Sequence, residues 1–163
     1  MPLLLTLWLA CSPEPDPAPL AGILGAGEWE WEELEDGGEI AVILGPQGGY
    51  HLLGSVRVSG IEAGDADDLS NPNNPTTSFY VWVDGENRTP GARYVQGLDP
   101  IAEPDDVFSH EMVGRFAILD IDSDAELDGV ELTFEVVVED VEGQLVSDAL
   151  TLWAYPHPYN HLD

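Results

Sequence analysis

Between residues 130 and 139 the chain alternates. Val130, Leu132, Phe134, Val136 and Val138 are apolar, and Glu131, Thr133, Glu135 and Glu139 between them are polar. Successive side chains leave a strand on opposite sides, so this period of two predicts a strand with one buried face. The same pattern recurs along the chain. Trp29 and Trp31 alternate with Glu28, Glu30 and Glu32, and Tyr50, Leu52, Val56 and Val58 face away from His51, Ser55, Arg57 and Ser59. Further strands are predicted over 39–44, 78–83, 92–95, 112–121 and 145–155, with the second strand running over 50–61. Polar loops are predicted over 62–77 and 98–108. No segment carries an apolar stripe of helical period.

About eight short strands, each bounded by turn residues, can bury their apolar faces only as a sandwich or a closed barrel. The late hairpin at Asp140-Val141-Glu142-Gly143 and the uneven loops favour the sandwich. The expected fold is therefore all-β, an immunoglobulin-like sandwich of about 7–9 antiparallel strands. The Cys…Trp…Cys core of antibody domains is missing, so the expectation concerns architecture only.

The 163 residues fit one domain. A single Cys excludes a disulfide framework and a thiolate metal cluster. With 32 acidic residues against 4 Arg, the formal charge is −28. That charge argues against nucleic acid and against electrostatic docking on anionic lipid.

Residues 3–10, LLLTLWLA, form an uninterrupted apolar run that ends in Ala10 and is followed by Cys11. The run is too short to span a bilayer but suits the apolar core of a secretory signal. An apolar run, a small residue and then Cys resembles the lipobox of bacterial lipoproteins, in which the Cys is acylated and becomes the mature N-terminus. Trp8 stands where Leu is usual there, Leu9 stands where a small residue is usual, and no basic residue precedes the run. Pro13, Pro15, Pro17 and Pro19 then alternate, which favours extended polyproline II over helix or sheet. The expected organisation is a leader over 1–10, a tether over 11–27 and a β-sandwich over 28–163. Two acyl chains on Cys11 would suffice for stable anchoring without a basic patch.

The segment Gly45-Pro46-Gln47-Gly48-Gly49-Tyr50-His51, together with the lipobox-like start and the late Asp-x-x-Gly hairpin, is similar to a pattern in uncharacterised bacterial surface lipoproteins. That resemblance implies an all-β domain and a place in the cell envelope, and no activity.

The sharpest chemical signal is the run from Asp120 to Glu131. Asp120, Asp122, Asp124, Glu126, Asp128 and Glu131 fall at positions 1, 3, 5, 7, 9 and 12 of a calcium loop. Calcium prefers such clustered carboxylate oxygens. Two features oppose an EF-hand: Ala125 stands where the loop needs Gly, and the flanks are strand-like. The competing reading is a solvated acidic turn that bends at Asp128-Gly129. Asp65, Asp67 and Asp68 form a second acidic cluster. His51 with His157, or His157 with His161, are weaker candidates for a transition metal, because Pro156 and Pro158 forbid helical spacing.

Catalytic motifs are missing from the sequence: there is no Gly-x-Ser-x-Gly elbow, no second His after His110-Glu111, and no Lys for a phosphate loop. The expected function is a membrane-anchored, non-catalytic binding or structural module, stabilised by calcium if the acidic loop binds it. Its expected place is outside the inner membrane, held by lipid in the outer membrane or periplasm. Expected partners are the membrane, through Cys11, and an envelope protein or glycan. Tyr80, Trp82, Tyr155 and Tyr159 are the aromatic residues available for stacking. The alternative is a secreted cation-dependent hydrolase that uses the acidic loops.

Overall fold

The computed structural model describes residues 18–102 and 107–161. The leader, Cys11 and the first part of the tether lie outside the described residues. Eleven strands are present among the described residues: β1 (Ala21–Ala26), β2 (Glu32–Glu33), β3 (Glu39–Leu44), β4 (Tyr50–Ser59), β5 (Thr76–Val83), β6 (Glu86–Asn87), β7 (Arg93–Val95), β8 (Asp99–Pro100), β9 (His110–Ile118), β10 (Glu131–Glu139) and β11 (Leu145–Pro156). Short 3-10 turns cover Asp124–Glu126 and Pro158–His161. The chain is all-β, as the alternation predicts.

The strands form two halves joined through β3, with every pairing antiparallel except that of β3 with β11. In one half β4 is central, flanked by β1 on one side and β9 on the other, with β2 and β8 at the rims. In the other half the order is β3, β11, β10, β5, with β6 and β7 both beside β5. Strand β3 serves both: Glu39–Val42 pair in parallel with Trp153–Pro156, and then Ile43 and Leu44 pair with His51 and Tyr50. The inward residues of the two halves make one core. Leu24, Val56 and Met112 come from one half, and Phe79, Phe134, Val136 and Leu152 from the other.

The halves meet closely where Phe79 faces Gly54. A Cβ added to Gly54 would lie 2.6 Å from Phe79 Cε1, so only Gly lets this ring reach the opposite strand. The pairing of β4 with β9 shifts register between Gly54 and Val56 at the same place.

Several boundaries differ from the sequence expectation. Residues 21–26, assigned to the tether, form β1; Ala21–Gly25 pair with Ser55–Ser59, and Leu24 is fully buried. The folded unit therefore includes Ala21, and the tether cannot extend to residue 27. The Trp29–Trp31 segment does not pair as a strand; only Glu32 and Glu33 do, against Gly25 and Ala26. Gly27 has φ +100, which turns the chain away from strand geometry. Trp29 is consequently 87% exposed, while Trp31 tucks beneath the Arg57 guanidinium, 4.4 Å from its ring centre. The predicted loop over 98–108 also contributes the short β8.

Candidate functional site

The acidic loop after β9 is built around its own backbone. Ser123 caps the short turn Asp124–Glu126, accepting from Ala125 N, and Glu126 Oε1 reaches back to Asp122 N at 2.8 Å and Ser123 N at 3.0 Å. This is a capping box, and it engages the Glu126 carboxylate with the turn's own N–H groups. Asp124 is buried and points to the chain end, where Asn160 Nδ2 donates to Oδ2 at 2.7 Å and His161 Nε2 lies at 3.2 Å. Asn160 also donates to the Val42 carbonyl and accepts from Leu44 N, so this cluster locks the C-terminal turn onto β3. Asp120, Asp122, Asp128 and Glu131 are exposed.

The six residues proposed from sequence as calcium ligands are therefore not gathered around one point. Among the described residues no group of three His, Cys, Asp or Glu is placed to hold a metal ion. The spacing of a calcium loop is present, but Glu126 is bonded to the Asp122 and Ser123 N–H groups and Asp124 is turned to Asn160 and His161. Calcium, magnesium and NaCl at matched ionic strength are thus expected to raise the melting temperature equally, by screening acidic repulsion. A calcium-specific rise that disappears in Asp120→Asn/Asp128→Asn would contradict this.

The second acidic cluster behaves alike. Asp65 Oδ1 accepts from Asp67 N, and Asp68 Oδ1 accepts from Ser70 N and Ser70 Oγ. Buried Asn74 anchors the loop, accepting from Asp65 N and donating to the Asp68 carbonyl. The Asp68 carboxyl is held below its usual range by these bonds from the Ser70 hydroxyl and backbone.

The histidines do not converge. His51 is buried against Phe116, with ring centres 4.4 Å apart. Burial pushes its pKa below the ordinary value, against the opposing pull of Glu28. His157 Nδ1 accepts from Tyr159 N, His110 bonds Ser109, and His161 faces Asp124.

The outer face of the β3-β11-β10-β5 half gathers aromatic and acidic side chains. Tyr80 and Trp82 stand two apart on β5 with rings 6.1 Å apart, and Trp82 Nε1 donates to Glu135 Oε2 at 2.9 Å. Trp153, 44% exposed, lies in register between Glu131 on β10 and Glu39 on β3. Tyr155 follows on the same face. Two shallow hollows of about 410 Å³ flank this row. One is lined by Trp82, Asp84, Glu131 and Thr133, the other by Glu28, Glu33, Glu39, Tyr155 and His157 among others.

Tyr80, Trp82 and Tyr155 were singled out in the sequence as stacking residues, and the fold puts them on one sheet face. Tyr159 lies beyond it, in the C-terminal turn, packed edge-on to His157. Trp153 was missed, although its separation of two from Tyr155 was the available signal. Glu39 could not be found that way, since only the parallel pairing of β3 with β11 brings it beside Trp153.

Comparisons with protein-family models, with curated proteins and with solved structures find no match.

Proposed function

We propose that this chain is a lipid-anchored protein of the bacterial cell envelope, whose β-sandwich is a non-catalytic binding or structural module. The observation that carries the reading is the apolar run 3–10 closed by Ala10 and Cys11 and followed at once by alternating Pro. The corrected start of the fold supports it. With β1 beginning at Ala21, a linker of nine residues separates it from Cys11. Its far end is fixed, because Ser59 Oγ donates to the Pro19 carbonyl at 2.9 Å. The module would then stand close to the membrane surface. The strand order supports an immunoglobulin-like reading of the sandwich: β1, β4, β9 and β8 follow one another in one sheet, and β5, β10 and β11 in the other.

The reading is tested by growing a bacterial host that makes the chain in a clickable palmitate analogue. Wild type is expected to take up label and sediment with membranes, and Cys11→Ala to take up none. An unlabelled wild type would overturn the anchor.

A further inference from the structure

The aromatic and acidic row on the outer sheet face repeats a combination that the protein already satisfies internally. Arg57 lies over the Trp31 ring at 4.4 Å, and its Nε donates to Glu111 Oε2 at 2.9 Å. One guanidinium is held there by a π face and a carboxylate together. Trp153 offers the same pair of groups at the surface, with Glu131 in register on one side and Glu39 on the other. The four Arg of the chain are all engaged elsewhere: Arg57 as above, Arg88 with Glu86, Arg93 with Thr76, and Arg115 with Gln96 and the Val113 carbonyl.

We infer that the face carrying Trp82, Glu131, Trp153, Glu39 and Tyr155 docks a basic, Arg-bearing segment of a partner protein. The inference rests on the proposed role as a binding module, but not on the lipid anchor. Charge complementarity selects this occupant. Carboxylates flank the exposed Trp, Asp84 and Glu131 line one hollow, Glu39 lines the other, and the whole chain carries −28. Arg suits the row better than Lys, because a planar guanidinium stacks on an indole while its edge donates to carboxylates. The row crosses three inter-strand spacings from β5 to β3, about 14 Å, a length that four or five extended residues cover.

The probe is the acetylated, amidated pentapeptide Arg-Gly-Arg-Gly-Arg, titrated into the full chain in 150 mM NaCl and followed by amide chemical shifts. Shifts are expected on β3, β10 and β11, with weaker binding of the Lys counterpart. Trp153→Ala, which leaves the charge unchanged, is expected to weaken binding about threefold to fivefold. Glu39→Gln/Glu131→Gln is expected to weaken it more than Asp67→Asn/Asp68→Asn, a control with the same charge change on a distant loop. All four positions of these pairs are exposed, and unchanged melting temperatures show that the variants fold.

Equal losses in the two pairs, with no effect of Trp153→Ala, would reduce the binding to bulk electrostatics and overturn the inference. So would shifts on this face with cellotetraose but not with the Arg peptide, which would make it a glycan surface. In either case palmitate labelling of Cys11 stands or falls separately.

Discussion

Phe79→Ala is expected to destabilise the fold by about 3–5 kcal/mol, the usual cost of emptying a fully buried aromatic position. Phe79 has no exposed surface. It packs against Phe134 with ring centres 5.9 Å apart and edge-on to Tyr94 at 6.4 Å. It also faces the bare backbone of Gly54, which has no side chain to move into the space. The hole would therefore be lined partly by a paired strand that cannot collapse. Urea unfolding should show a lower midpoint with an unchanged slope. Tyr80→Ala, one residue along on the outer face, should cost much less. Comparable losses at 79 and 80 would mean that the two halves do not meet at Phe79.

Asp140→Ala is expected to cost about 2–4 kcal/mol, from several charge-assisted hydrogen bonds lost at one buried carboxylate. Asp140 sits where the β10–β11 hairpin turns, and it is buried. Oδ1 accepts from Glu142 N and Gln144 N, each at 2.9 Å, and Oδ2 accepts from Glu62 N at 3.0 Å and Gln144 Nε2 at 3.2 Å. The bond to Glu62 ties the hairpin to the loop after β4, and without it that N–H has no such acceptor.

Burial alone would raise the Asp140 pKa, but the bonds from Glu62, Gln144 and Glu142 together outweigh it and hold the carboxyl below its ordinary 3.8. The unfolded chain then binds the proton more readily than the folded one. The contribution of Asp140 is accordingly complete above about pH 4 and is lost as pH falls through the lower folded value. The stability difference between wild type and Asp140→Ala should be constant from pH 7 to pH 5 and shrink below pH 4. A difference independent of pH would show that the carboxylate is not held as an ion.

These residues also show what the sequence could disclose. Strand β10 was legible because a half-buried strand must alternate, and Glu131–Glu139 does so with one break at Val137; β3 was legible as an apolar run, and β5 as β-branched and aromatic residues closed by Asp84-Gly85. The turn at Asp140 was legible from Gly143, but its bond to Glu62 was not, since the partners lie 78 residues apart. Strand β1 was hidden because AGILGA is small and follows a Pro-rich stretch, so it reads as linker. Only pairing with β4 makes Leu24 a core residue. Trp29 and Trp31 misled in the opposite sense, since alternation without a partner strand is not a strand.

The acidic loop misled for a local reason. Ser123 and Glu126 also spell a capping box, and a capping box needs only the chain's own N–H groups, whereas a calcium site needs six oxygens to converge. The surface row was half legible: the sequence offered Tyr80, Trp82 and Tyr155 but not Trp153, and the parallel pairing that adds Glu39 was not written in any local pattern.

Cys11 is proposed to carry the sandwich at the membrane. The most direct test is the intact mass and N-terminal peptide of the mature protein, extracted from bacterial membranes with detergent. Cys11 is expected to be the first residue and to bear a thioether-linked diacylglyceryl group. A mature chain that begins beyond Cys11, or one that retains an unmodified Cys11, would contradict it.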